Sequence, residues 1–329
     1  MNDFNLLEQK INQLCEHTGV SDVAIAVVRD AQIANTCAIG TLAVDNPIPV
    51  ASLSKPVFAY AILKLCELGI LDLHTPLTEY LPEPYLANEP YLPCVTAWHA
   101  LTHTTGFPNW RSATGLRAIF QPGSAFHYST EGFIYLQTVA ETLLRKPIDT
   151  FLEADIFKPF GMRNSQLVPE DLSTFLPYLP KGLRAYGAIS LETTVLDYAH
   201  FLIEMLDLRD GVERPGDQFR LSQANLTQML TSNIQVGNQS GLSWGLGWRL
   251  QHLGEAKNTF WHWGTRRNLT RCFALGHPDS RSGIVIFTDH ADGLTICEEI
   301  AQIGLNWSEP LPAFRWLLPV EKWRADGSG

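Results

Sequence analysis

The chain has 329 residues, 45% of them hydrophobic and 18% charged, a globular composition long enough to bury a core without metals or disulfides. Thirty-four acidic against twenty-four basic side chains leave a formal charge of −10, which speaks against nucleic acid or an anionic membrane surface as partner. No stretch approaches the roughly 18 uninterrupted apolar residues of a membrane span. The start, MNDFNLLEQKINQLCEHTG, lacks the basic and apolar regions of a signal peptide. Its apolar residues Phe4, Leu7, Ile11 and Leu14 recur at helical spacing and predict an amphipathic helix. The expectation is a soluble cytoplasmic protein, or else the mature form of an exported one. Six cysteines (Cys15, Cys37, Cys66, Cys94, Cys272, Cys297) lie far apart without CxxC pairs, so buried free thiols are expected rather than a disulfide framework.

Further along, DVAIAVVRD and QIANTCAIG read as a hairpin turning near Asp30. A helix is predicted from Ser54 to Leu68, with Pro56 early and Gly69 just past its end. The stretch from Asp72 to Trp110 is rich in proline, tyrosine and leucine and holds one short helix, TAWHALTH. Two more helices run from about Thr130 to Leu144 and from about Thr194 to Leu206. In the last third SWGLGWRLQ, NTFWHW, TRCFALG and GIVIFTD read as strands, and a helix from about Asp292 to Leu305 closes the chain. Strands thus sit at both ends and helices in the middle. That order predicts an α/β lobe from about residues 1–50 plus 185–310, an inserted helical lobe of about 51–184, and a tail of about 311–329 ending in ADGSG.

Ser52-Leu53-Ser54-Lys55 sits where the strand-like PIPVA gives way to a helix. Residues three apart share a helical face, which brings the Lys55 amine near the Ser52 hydroxyl. An alcohol needs a base within hydrogen-bond reach, and a desolvated lysine can serve as one. Free N–H groups at the helix start suit a developing oxyanion. Tyr128-Ser129-Thr130 stands just before another helix, and His262-Trp263-Gly264-Thr265 ends a strand.

With these three segments, in this order, the chain resembles the serine β-lactamase and penicillin-binding-protein family. The likeness is greatest to the branch of class C β-lactamases, D-Ala-D-Ala carboxypeptidases and related carboxylesterases. That family carries Ser-x-x-Lys, Tyr-x-Asn and Lys/His-x-Gly. LDLHTPLTEYLP, Leu101-Thr102-His103-Thr104-Thr105-Gly106, FKPFGMRNS and GLGW are similar to further family segments, so the likeness runs from about Val23 to Leu305. It implies a β-lactamase/transpeptidase-like α/β (α+β) fold: a mainly antiparallel sheet flanked by helices.

The resemblance also implies roles. Ser52 matches the acylated nucleophile, Lys55 its base partner, and Tyr128 the phenol that moves a proton. His262 matches the Lys/His of the strand edge, and Thr265 the backbone N–H that joins Ser52 in the oxyanion hole. His103 is expected to hold the local fold. Two departures matter. Thr130 stands where the family asparagine grips a substrate acylamide, which puts that grip in doubt and leaves simple esters favoured. Trp263 is bulky and is expected to wall the pocket beside Gly264. Arg266 and Arg267 are either partners for a substrate carboxylate or solvated loop charges.

Several features are read as decoys. Gly241-Leu242-Ser243-Trp244-Gly245 matches a nucleophile elbow, but a strand follows where that motif needs a helix. His99 and His103 are four apart, yet no third metal ligand is evident, so capping or core roles are expected. Trp244, Trp248, Trp261 and Trp263 read as core and pocket wall. No cofactor or metal is expected. The resulting expectation is a serine hydrolase acting on a small-molecule ester or amide, most of all an esterase or amidohydrolase. An acyltransferase, transesterase or thioesterase-like enzyme, a true β-lactamase or D-aminoacyl peptidase, and a non-catalytic binding module are the alternatives.

Overall fold

The computed structural model describes residues 3–174, 176, 179, 181–208, 216–237, 241–252, 258–266 and 270–307. Arg267 and the tail of about 311–329 lie outside the described residues. The first helix, α1 (Asp3–Thr18), buries Leu7, Ile11 and Leu14 as its spacing predicts; the Phe4 side chain is outside the described set. β1 (Val23–Arg29) and β2 (Gln32–Ile39) form the expected hairpin. Its turn places Asp30 and Ala31 both in the left-handed region, at φ 52° and 55°, the geometry whose twist suits a two-residue hairpin.

After β3 (Ile48–Pro49) the chain becomes helical: α2 (Ser54–Glu67), α3 (Ala97–Leu101), α4 (Thr130–Leu144) and α5 (Ile148–Leu152). β4 (Gln166–Leu167) and β5 (Leu191–Thr193) follow, then α6 (Val195–Leu206) and α7 (Gln223–Met229). The last third holds β6 (Ile234–Gln235), β7 (Leu242–Trp244), β8 (Arg249–His252), β9 (Asn258–Arg266), β10 (Thr270–His277), β11 (Ser282–Thr288) and α8 (Leu294–Leu305). The run SWGLGWRLQ is therefore two strands and not one. Gly245–Trp248 turns between β7 and β8, with Gly247 left-handed at φ 85° and packed on the Ala59 methyl of α2.

The main sheet is antiparallel throughout, in the order β2-β1-β11-β10-β9-β8-β7-β6; a small second sheet runs β3-β5-β4. The main sheet draws on both ends of the chain, as the fold class implied. β1, inside the sheet, is buried at every position but its last, whereas the edge strand β2 alternates. One face of the sheet (Ala24, Ala26, Val285, Phe287) packs with α2, α4 and α6. The other face (Ile25, Val27, Ile284, Ile286) packs with α1 and α8.

Helix α2 is buried from Ser54 to Leu65, so it is apolar on nearly every side. Each buried Phe, Ile or Leu contributes about 1.5–3 kcal/mol, against about 0.5–1.5 for a hydrogen bond. Packing therefore decides where α2, and the turn in front of it, come to rest. All six cysteines are unbridged; Cys94 is exposed and Cys66 half-buried, while the other four are buried as expected.

Candidate active site

Ser52 lies in a single 3-10 turn, Ala51–Leu53, that leads into α2. The turn is held from both sides. Val50 N–H donates to Leu191 O, Leu191 N–H donates to Ser54 Oγ, and Tyr198 Oη donates to Leu53 O. Ala51, directly before Ser52, adopts φ 47°, a left-handed conformation that costs a non-glycine residue of order 1 kcal/mol. Lys55 follows on the same helical face. Its Nζ lies 3.2 Å from Ser52 Oγ and donates to Ala188 O, also at 3.2 Å, and the side chain has no solvent exposure. The spacing argument for this pair is met by the geometry.

Tyr128 closes over the amine: Lys55 Nζ is 5.1 Å from its ring centroid and 5.6 Å from that of Phe133 on α4. His103 packs against the other rings here. Its imidazole is 4.3 Å from the Tyr128 ring, its Nδ1 accepts from Ser129 N–H, and its carbonyl accepts from His127 N–H. All three contacts fix the segment 127–129, so His103 positions Tyr128 in addition to holding the local fold. Burial holds its pKa well below the usual histidine range, and the positive charge of Lys55 adds to the effect. Because Nδ1 accepts from a backbone N–H, the ring's proton sits on Nε2.

β9 supplies the third side. β8 pairs with it only as far as Trp261, and beyond that point β9 lies against the Ser52 turn. Gly264 makes this approach feasible: a Cβ there would stand 1.8 Å from Val50 O. Thr265, half-buried, follows directly and pairs across β10 with Arg271. His262 is fully buried, with its ring centroid 6.3 Å from that of Tyr128. Its Nδ1 donates to Trp263 O at 2.8 Å, which leaves Nε2 the acceptor in the neutral ring. Burial, then the charge of Lys55, push its pKa well below the usual range, so His262 stays neutral.

Three residues expected to meet substrate make contacts within the protein. The Thr130 side chain is buried and its hydroxyl donates to Asn109 Oδ1 at 2.8 Å, so it is spent on the protein. Arg266, half-buried, pairs through its guanidinium with Glu170 Oε2 at 2.7 Å. Trp263 is only 5% exposed, stacking near Tyr128 at 6.1 Å and taking the Arg249 guanidinium 4.8 Å from its centroid. It braces the phenol from behind more than it walls a pocket. Arg249, which the sequence reading passed over, is buried among Trp244, Trp261 and Trp263. The register Trp244↔Arg249↔Trp261 across β7, β8 and β9 creates that stack, and burial drives its pKa well down.

The decoys fall as expected. Ser243 is buried inside β7, with no helix after it. His99 caps α3: its Nδ1 accepts from Thr96 N–H, and Thr96 Oγ1 accepts from His99 N–H. Trp248 is core, packed on Phe260 and Phe201. Among the described residues no helix is long and apolar enough to cross a membrane.

The arrangement is an alcohol beside a buried amine, with a tyrosine ring over the amine and a strand edge alongside. Known proteins resemble this chain at several levels. A family model described as Beta-lactamase matches residues 7–296. Penicillin-binding protein 4* of Bacillus subtilis (strain 168) is 27% identical over 76% of this chain and 60% of its own length. Esterase EstB of Burkholderia gladioli is 30% identical over 41% of this chain and 42% of its own. The chain thus spans about 60% or less of these curated relatives. Among solved structures, a β-lactamase/D-alanine carboxypeptidase from Pseudomonas syringae superposes with TM-score 0.77 at 16% identity, covering 94% of this chain and 100% of that one. With the fold matched along its length and the family model spanning most of its residues, the chain belongs to the Beta-lactamase family.

Proposed function

We propose that the protein is a serine hydrolase that forms an acyl-enzyme on Ser52, taking small-molecule esters or amides. The observation that carries this reading is the fully buried Lys55 amine, 3.2 Å from Ser52 Oγ and facing the Tyr128 ring. In the reaction the Ser52 Oγ–H proton passes to the Lys55–Tyr128 pair as Oγ bonds to the substrate carbonyl carbon. The carbonyl oxygen becomes an oxyanion against the N–H groups of Ser52 and Thr265. Collapse expels the alcohol or amine, which takes its proton from Tyr128. Water then adds to the acyl-enzyme by the same route and releases the acid. Neutral His262 brings no second positive charge to the phenol. Relatives named esterase and penicillin-binding protein support this class of chemistry.

The test is covalent labelling. A fluorophosphonate should add one label to the intact protein, seen by mass spectrometry. Ser52→Ala should abolish the label, and Ser243→Ala should leave it. Labelling that survives in Ser52→Ala overturns the assignment.

A further inference from the structure

We propose that the ion pair between Arg111 and the buried Glu131 is a positioning pair for acyl transfer: its forked contact locks the first turn of α4 and so keeps the Tyr128 ring over the Lys55 amine. The inference rests on the acyl-enzyme reading above and deepens it. Glu131 has no solvent exposure, a placement that is strongly unfavourable for a carboxylate unless it is paired and hydrogen-bonded. Arg111 satisfies it three times over. Its Nε and its backbone N–H donate to Glu131 Oε1 at 2.8 and 2.9 Å, and its Nη2 donates to Oε2 at 2.8 Å. A planar guanidinium against a planar carboxylate fixes an angle as well as a distance, which a lysine in the same place does not. The guanidinium is held in turn. Nη2 also donates to Tyr85 Oη at 3.0 Å, and the Tyr85 ring stacks on Tyr135 of α4 with centroids 4.4 Å apart.

What the pair holds is the strip that carries the phenol. Glu131 lies between Tyr128 and Phe133 in the chain, and the rings of both face the Lys55 amine, with centroids 5.1 and 5.6 Å from Nζ. That amine stands 3.2 Å from Ser52 Oγ. Residues two apart on a helix do not share a face, so Glu131 is gripped from outside while Phe133 lies against the amine. Other bonds join the same two segments: Ser129 Oγ donates to Pro108 O at 2.9 Å, and Glu131 N–H donates to Asn109 O at 3.2 Å. These are neutral, and charge-assisted bonds are about twice as strong. The ion pair therefore sets where the first turn of α4 comes to rest. Arg111 acts on the proton transfer through Tyr128, as a positioning residue.

Arg111→Lys is the decisive variant, because it keeps the charge that Glu131 needs and removes only the fork. Urea denaturation reads whether it is folded. Its kcat for p-nitrophenyl butyrate and its rate of Ser52 labelling by fluorophosphonate should fall about ten- to a hundredfold, the scale of a displacement of about 1 Å, with KM within about threefold of wild type. The same substitution is then made in Tyr128→Phe, where no phenol is left to position. There its penalty should shrink to within about threefold. Glu131→Asp keeps the charge and withdraws the carboxylate by one methylene; it should show the same pattern, and it carries the test alone if Arg111→Lys does not fold. A folded variant with kcat retained overturns the proposal. So does a penalty undiminished in the Tyr128→Phe background, which would mean a general loosening of the fold. Either result with wild-type Ser52 still labelled removes this proposal alone; a wild type that takes no label removes the acyl-enzyme reading first, and this proposal with it.

Discussion

Gly264→Ala separates contact from backbone conformation. Gly264 is not in the left-handed region, so alanine meets no dihedral penalty there. The added Cβ, however, would stand 1.8 Å from Val50 O, 2.9 Å from Val50 C and 3.3 Å from Leu53 N. Non-bonded carbon requires about 3.5 Å, so β9 and the Ser52 turn must part by about 1.7 Å. A misplacement of about 1 Å can cost about a hundredfold in rate. Loss of one oxyanion donor costs about a hundred- to a thousandfold. Turnover of p-nitrophenyl butyrate and the rate of Ser52 labelling should both fall at least about a hundredfold, while overpacking lowers stability by about 1–3 kcal/mol. Urea denaturation shows whether the variant is folded. Gly69→Ala is the matched control, since its left-handed φ of 69° is strained but nothing lies within 4 Å of an added Cβ. That variant should lose about 1 kcal/mol and keep its turnover. A folded Gly264→Ala whose turnover stays within about threefold of wild type would refute the close-approach reasoning.

Two other outcomes follow from the same geometry. If Lys55 and Tyr128 handle one proton, their losses should not add: Tyr128→Phe and Lys55→Met should each slow turnover at least about a hundredfold, and the double variant should match the worse single. Additive losses in stopped-flow acylation rates would argue for separate roles. His103 and His262 are buried with pKa values held well below the unfolded value of about 6.5. The unfolded chain therefore binds more protons at low pH, and the stability these residues contribute is complete above about pH 6.5 and lost as the pH falls below it. Between pH 7.5 and 5.5 each should therefore lower stability, read from urea midpoints. His103→Asn should reduce that pH dependence, and an unchanged slope would show that His103 is protonated in the fold.

Local spacing carried far into the site because the Ser52–Lys55 pair is a helical i,i+3 contact, set by geometry within one turn. The same holds for the amphipathic α1 and for the β1–β2 hairpin. What spacing could not show are contacts made across loops. His103 meets Tyr128, and Asn109 meets Thr130, through tertiary packing 25 and 21 residues along the chain. The family pattern named position 130 but could not reveal that its hydroxyl turns toward another loop. Gly245 and Gly247 in GLGW were visible, yet alternation around them disguised a turn as continuous strand. A left-handed Gly247 packed on Ala59 is the physical reason the run breaks. Trp263 reads as pocket wall by its place in a motif, and the strand pleat puts it with Trp261 in the core instead.

The main sheet closes only when the two ends of the chain meet, because β9 is held by β10, β10 by β11, and β11 by β1. Protein synthesis proceeds at roughly 5–20 residues per second, so roughly 10–40 s separate the emergence of Lys55 from that of Thr265. During that interval the ribosome carries a serine and an amine with no strand beside them. Ala188, whose carbonyl anchors the amine, is also still to come for part of that time. On the proposed mechanism, a nascent chain that has already exposed its nucleophile to cellular esters would stay inert, and reactivity would switch on with the docking of the last strands. On that mechanism, protection against premature acylation would be a consequence of connectivity.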